Sequence, residues 1–355
     1  MADLASTYGW QGQLEKAERL QEETLKLRKE VLGEHHPDTL KSMGNLASTY
    51  WQKGHLEKAE RLQEETLKLH RKVLGESHLD TLKSMGNLAF AYQWKGQLEK
   101  AEVLQEETLK LHKKVFGEHH SETLASMFNL ASTYGQQGQL NKAERLQEET
   151  LKLRKEVLGE HHPDTLATVS NLASIYWQKG HLEKAKRLQE ETLKLRKEIL
   201  GEHHPDTLKS MSNLASTYWQ KGHLEKAERL QEETLKCHKK VLGEHHPDTL
   251  ASMSNLASTY GQQGQLEKAE VLQEETLKLQ KEVLGEYHPD TLASMSNLAS
   301  TYWWKGHLEK AERLQEETLK LHKEILGEHH PDTLASMSNL VLIYQWKGQL
   351  EKLRC

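Results

Sequence analysis

Cysteine is almost missing: two thiols in 355 residues cannot build a disulfide framework, which points to a reducing, cytoplasmic setting. Long apolar runs are missing as well. The longest is LVLIY at 340–344, and the opening MADLASTYGW has no apolar stretch, so neither a secretory signal nor a membrane span is expected. Charge of one sign never accumulates. The 48 basic and 53 acidic residues mix along the chain to a formal net charge of −5, with no basic block or stripe, which argues against nucleic acid or an anionic membrane as a partner. Apolar residues are themselves sparse, 36% against 28% charged. That is lean for two packed cores, but it suits an elongated array that buries surface only between neighbours.

What is present is repetition. The stretch EHHPDTLKSMGNLASTYWQKG at 34–54 returns in close copies down the chain. Its last glycine recurs as Gly12, Gly54, Gly96, Gly138, Gly180, Gly222, Gly264, Gly306 and Gly348, 42 residues apart each time without insertion or deletion. A period of that size marks a solenoid or a propeller. Leu40, Met43, Leu46, Ala47 and Tyr50 before the glycine, and Leu56, Ala59, Leu62, Thr66, Leu69 and Val73 after it, fall on helical stripes without the alternation of a strand. Pro37 and Asp38 suit the first turn of the first helix, and Gly54 suits the left-handed residue past its end. The second helix is expected to run to Leu74 and stop at Gly75, with Glu57–Arg61 and Glu64–Lys68 pairs on its outer face. Each copy is thus a helical hairpin with a longer second arm. The spacing predicts an all-α chain, a single α-solenoid over residues 1–355 of about eight repeats, beginning and ending mid-repeat.

The segment NLASTYWQKGHLEKAERLQEETLKL resembles the tetratricopeptide repeat, with Leu46, Ala47, Tyr50, Gly54 and Ala59 on its signature positions. The 42-residue length and the LGEHHPDT connector resemble the kinesin-light-chain variety of that family. The resemblance implies a right-handed superhelix of stacked helix-turn-helix repeats that binds other proteins. Two departures stand out. Gln63 takes the place of the large aromatic in the second helix, and the proline that usually ends that helix is absent, with Arg71 inside a helix about a turn longer.

Chemistry is hard to place in such a chain. A catalytic group repeated at every copy would be odd, the unique residues form no recognisable set, and no P-loop occurs, so no enzyme and no cofactor are expected. The histidine pairs of EHHPD invite a metal. However, packed helices lie about 8–10 Å apart, too far for equivalent histidines to share one ion. Capping of the next helix by the histidine before proline is the preferred reading, and no metal site is assigned. Cys237 replaces a leucine found in most copies and reads as a core residue.

Two sets of residues do invite a partner. Asn45, Asn87, Asn129, Asn171, Asn213, Asn255, Asn297 and Asn339 hold one mid-helix position in successive copies, where asparagine is a poor helix former. The resemblance places this helix on the concave groove, with the asparagine on the backbone of an extended peptide; one amide offers both a donor and an acceptor. Small neighbours such as Gly44, Ser48, Ser170, Ser174, Ser212 and Ser216 would leave room. The alternative is that each amide fixes the geometry between hairpins. The family's carboxylate clamp would find only half its parts here, Asn45 with Lys83. Trp51, Trp177, Trp219 and Trp303 follow the core tyrosine directly, while Trp10, Trp94, Trp304 and Trp346 come one residue later. Exchange with Gly and Gln at these places suits a groove rim, or else a cover over the neighbouring hairpin. The function read from these features is a scaffold holding an extended segment or helix of a partner protein. A structural spacer or self-assembling rod is the alternative. Apolar Leu4 and Tyr8 at one end and Val341, Leu342 and Ile343 at the other suggest head-to-tail association.

Overall fold

The computed structural model describes Tyr8 and residues 13–354, and among these it holds sixteen α-helices and no strand. Short first arms are α2 (Pro37–Gln52), α4 (Leu79–Trp94), α6 (Ser121–Gln136), α8 (Pro163–Gln178), α10 (Pro205–Gln220), α12 (Pro247–Gln262) and α14 (Pro289–Trp304). Long second arms are α1 (Leu14–Leu32), α3 (Leu56–Leu74), α5 (Leu98–Phe116), α7 (Leu140–Leu158), α9 (Leu182–Leu200), α11 (Leu224–Val241), α13 (Leu266–Val283) and α15 (Leu308–Leu326). The last helix, α16 (Pro331–Arg354), is longer than either kind. Packing divides the chain into two units, residues 1–181 and 182–355, and each is built of the same hairpins.

Local signals start and stop these helices. The His36 side chain caps α2, its Nδ1 accepting the Asp38 N–H at 3.2 Å, and His78, His120, His162, His204, His246, His288 and His330 do the same for the later first arms. The capping role read for the histidine before proline is therefore what these residues perform. At the other end Gly54 takes φ +77°, the His55 N–H returns to the Tyr50 carbonyl at 2.8 Å and the Gly54 N–H to Trp51 at 2.9 Å, a Schellman closure. The connector after the second arm is tied by Thr81, whose hydroxyl donates to the Gly75 carbonyl at 2.8 Å while its side chain is wholly buried.

Inside a unit a first arm packs between the second arm before it and the one after it. In the first unit Leu40, Met43, Leu46 and Tyr50 of α2 pack with Leu25 of α1 and Ala59 of α3. The next first arm repeats the arrangement: Leu82, Met85, Leu88 and Tyr92 pack with Leu67 of α3 and with Ala101 and Leu104 of α5. Truncating fully buried Met85 to Ala would cost about 2–5 kcal/mol. The stripe expected on the second arm needs correction. Ala59 and Thr66 are buried, but Leu56, Leu62 and Leu69 are only half-buried and Val73 is exposed, while Leu67 and His70 are buried instead. The reason is geometric: the second arm faces its own first arm and the next one, so its buried surface is wider and rotated from a single stripe. Gln63 has the same explanation. Its counterparts Gln147 and Gln315 are buried, and their amides donate to the Thr168 and Ser336 carbonyls of the following first arm, each at 3.2 Å.

The expected break at Gly348 is absent, because α16 runs through it to Arg354. Only six residues of that helix follow the glycine, too few to bury a second-arm face, so continued intrahelical hydrogen bonding prevails. Along α16, Val341 and Leu342 are exposed as expected, whereas Ile343 is buried with Leu298, Tyr302 and Ala311. Leu4 lies outside the described residues.

Candidate functional site

The asparagines all lie on the outward side of the first arms. Asn45, Asn87, Asn129, Asn255 and Asn297 are exposed, and Asn171, Asn213 and Asn339 are half-exposed. Their neighbours at the following position, Leu46, Leu88, Leu130, Leu172, Leu214, Leu256, Leu298 and Leu340, are buried, which turns each amide away from the core. Among the described residues none of the eight amides has a hydrogen bond within the protein. The alternative in which they bond a neighbouring hairpin is not what these side chains do. Nearby hydroxyls fold back on their own helix, as Ser212 does to Leu208 and Ser216 to Ser212, which keeps this face low.

A cleft of about 640 Å³ opens on this face between α4 and α6. Lys83, Gly86, Asn87 and Phe90 form one wall, Ala125 and Asn129 the other, and Thr108 and His112 of α5 the floor. The lysine and two of the asparagines singled out in the sequence thus come together. Lys83 lines the cleft together with Asn87 and Asn129, and Asn45 is not part of its lining. Phe90 was not predicted as a site residue; its only sequence signal is that it stands where other repeats have serine, or Leu342 in the last. A smaller recess in the second unit gathers Trp303, Trp304 and Asn339 with Leu342.

The two tryptophan positions differ in kind. Trp51 and Trp303 are half-buried against the apolar clusters, whereas Trp94 and Trp304 are 68% and 67% exposed. Where both positions are filled in successive repeats the rings meet edge to face. Trp51 and Trp94 lie 5.8 Å apart at 83°, with Phe90 beside them, and Trp303 and Trp346 lie 5.8 Å apart at 89°. Trp177 and Trp219 have Gln220 and Gln262 at the corresponding place and remain partly exposed. Trp51 and Trp303 therefore cover part of the neighbouring hairpin, and Trp94, Trp304 and Trp346 at the next position are exposed. Trp10 lies outside the described residues.

Electrostatics on the other sides of the hairpins are self-contained. Each core tyrosine donates to a glutamate of the preceding second arm, as in Tyr134 to Glu106 at 2.6 Å and Tyr218 to Glu190 at 2.7 Å. Burial and that bond push the Tyr218 hydroxyl up to about 12, so it remains a donor. Lys53 pairs with Glu18, Lys95 with Glu60 and Lys305 with Glu270, and the Lys53 hydrogen bond holds the Glu18 carboxyl below the ordinary range. Cys237 is free and buried with Leu193, Leu208 and Met211, and burial pushes its thiol up. Among the described residues no group of three or more His, Cys, Asp or Glu side chains is arranged to hold a metal, and no helix is long and apolar enough to cross a membrane.

The family model of the tetratricopeptide repeat matches residues 1–72, 80–156, 136–198, 164–240, 224–282, 248–323 and 290–352. Among solved structures the chain is similar to nearly identical TPR-like repeats of kinesin-light-chain type from Podosopora anserina, at 32% identity over 58% of this chain and 97% of that one, with a TM-score of 0.51. BtubC (BKLC) from P. vanneervenii is 23% identical over 66% of this chain and 94% of that one, with a TM-score of 0.57, a likeness of fold alone. The same holds for a signal transduction ATPase with a tetratricopeptide repeat sensor from Pyrococcus horikoshii, at 21% identity over 84% of this chain and 43% of that one, with a TM-score of 0.60. None of the curated proteins compared matches the chain.

Proposed function

The chain belongs to the tetratricopeptide-repeat family, and on that premise we propose that the face formed by its first arms holds an extended segment of a partner protein. Repeats of this family are in general protein-interaction scaffolds. The observation that carries the reading is the asparagine amide of each first arm, turned outward beside a buried leucine and not hydrogen-bonded within the protein. An amide that costs helix propensity and gives the fold no hydrogen bond is free to donate to and accept from a peptide backbone. Exposed Phe90, Trp94 and Trp304 supply apolar anchors beside it, and the cleft with Lys83, Asn87 and Asn129 is the best-formed part of the face. A reducing, cytoplasmic location accords with the buried free thiol of Cys237.

A spacer role is the second reading, favoured by the sameness of the joints: the tyrosine–glutamate bond lies between 2.6 and 2.8 Å from Tyr50 through Tyr344. Selection of binders from a displayed peptide library on the whole chain, followed by titration of the best peptide, separates the two. Replacing Asn87 and Asn129 by Ala should weaken that peptide roughly tenfold or more with the melting temperature unchanged. Failure to select any peptide, or an affinity indifferent to both substitutions, would leave the spacer.

A further inference from the structure

One position of the second arm changes its chemistry from repeat to repeat while its partner hardly changes. Five residues before the terminal glycine stand Arg28, His70, His112, Arg154, Arg196, His238, Gln280 and His322. All but Arg28 are buried. Fourteen residues further on, at the seam with the next first arm, stands a serine, or Thr168 in one copy.

Arginine fills the seam with two bonds. Arg154 donates to the Thr168 hydroxyl and to the Asp164 carbonyl, both at 2.8 Å, and Arg28 and Arg196 make the same pair with Ser42 and Asp38 and with Ser210 and Asp206. Histidine reaches one hydroxyl. Its Nδ1 lies 2.7 Å from the Oγ of Ser84, Ser126 or Ser252, and 2.8 Å from that of Ser336. Only His112 also approaches a carbonyl, that of Glu122 at 3.2 Å. Desolvation holds all four rings below the ordinary histidine value. The charged groups acting on each are one acid and one further histidine: Asp80 and His78, Glu122 and His120, Asp248 and His246, Asp332 and His330. The first favours a proton on the buried ring, and the second opposes it once charged itself.

We infer that these four seams are proton-sensitive joints: mild acidification places a poorly compensated charge in each and unseats the following first arm, while the arginine seams stay shut. The sign follows from the geometry. A ring that takes up a proton less readily folded than unfolded gives its full stabilisation above about pH 6.5, and this is lost as pH falls below that value. A guanidinium keeps its charge throughout and has two acceptors for it. The joints are not spread evenly. In the first unit they lie under α4 and α6, which wall the cleft, and in the second under α12 and α16. Acid would therefore loosen both walls of the cleft in the first unit, and α12 and α16 in the second, while the first arms behind arginine hold.

Native-state hydrogen exchange of the whole chain, read by mass spectrometry at about pH 7.5 and about pH 5.5 with the intrinsic pH effect removed, tests this. Protection in α4, α6, α12 and α16 should fall roughly tenfold or more at the lower pH, while α2, α8 and α10 behind arginine and α14 behind Gln280 hold. A variant carrying H70R, H112R, H238R and H322R should lose the difference. If that variant does not fold, glutamine at the same four positions, as Gln280 already stands in its own seam, gives the same comparison. Equal loss at arginine and histidine seams, no loss at any, or a loss that survives removal of the four rings would overturn the inference.

Discussion

At the scale of the residue, recurring polar side chains divide into those engaged by the fold and those left over. Tyr134 is the clearest engaged case. Its ring is buried with Leu130 and Ala143, and its hydroxyl meets Glu106 at 2.6 Å, with the Lys142 ammonium 4.9 Å from the ring centroid. A hydrogen bond to a charged acceptor contributes about 1.5–3 kcal/mol, and solvent around this partly buried pair favours the low end. Tyr134→Phe should therefore lower stability by about 1–2 kcal/mol without loss of helical signal, measured as a shift of the urea midpoint. The tyrosine was legible in the sequence as a core residue. Its partner was not, because Glu106 lies 28 residues back in the preceding repeat, and in a chain of near-copies every glutamate of the period is an equal candidate. The asparagines were legible for the opposite reason: a poor helix former that recurs without a packing role stands out against its own helix.

At the scale of the element, the caps and stops were readable in the sequence and the buried faces were read less well. Proline, histidine and glycine act through the backbone within a few residues, so the starts at Pro37 and the closure at Gly54 follow from local chemistry. The second arm's buried face depends on two neighbours at once, which hydrophobic spacing within one helix cannot report, and Leu67 and His70 were missed for that reason. The pair Gly135 and Gly138 isolates the local part. A Cβ added to either meets nothing within 4 Å, so space does not distinguish them. Gly138 has φ +74°, whereas Gly135 lies inside α6. Gly138→Ala should thus cost about 1–2 kcal/mol by forcing an L-residue into the left-handed region. Gly135→Ala should stabilise by up to about 1 kcal/mol through helix propensity. Thermal melts of the two variants should move in opposite directions; movement in the same direction would show that turn conformation is not what Gly138 supplies.

At the scale of the molecule, stability within each unit rests on joints between adjacent hairpins. Leu67 of α3 enters the cluster of Leu82, Met85 and Leu88 on α4, Arg71 pairs with Glu107 at 2.7 Å, and Lys95 pairs with Glu60. The ion pairs are partly solvated and contribute about 0–1 kcal/mol each, so the apolar seam dominates each joint. A unit held this way has a stability near the sum of its hairpins and its nearest-neighbour seams. Removal of residues 98–139, one full period, joins Gln97 to Leu140 and recreates the Gln139–Leu140 junction. It deletes α5 and α6 together with one joint, and it leaves the tyrosine bonds of Tyr92 to Glu64 and Tyr176 to Glu148 with both partners present. The shortened chain should remain as helical per residue as the parent and melt only ~2–5 °C lower. Circular dichroism against temperature measures both quantities. A collapse of helicity on deletion would mean that the hairpins depend on contacts beyond their neighbours, and an unchanged melting temperature would mean that the joints add little to hairpins already stable alone.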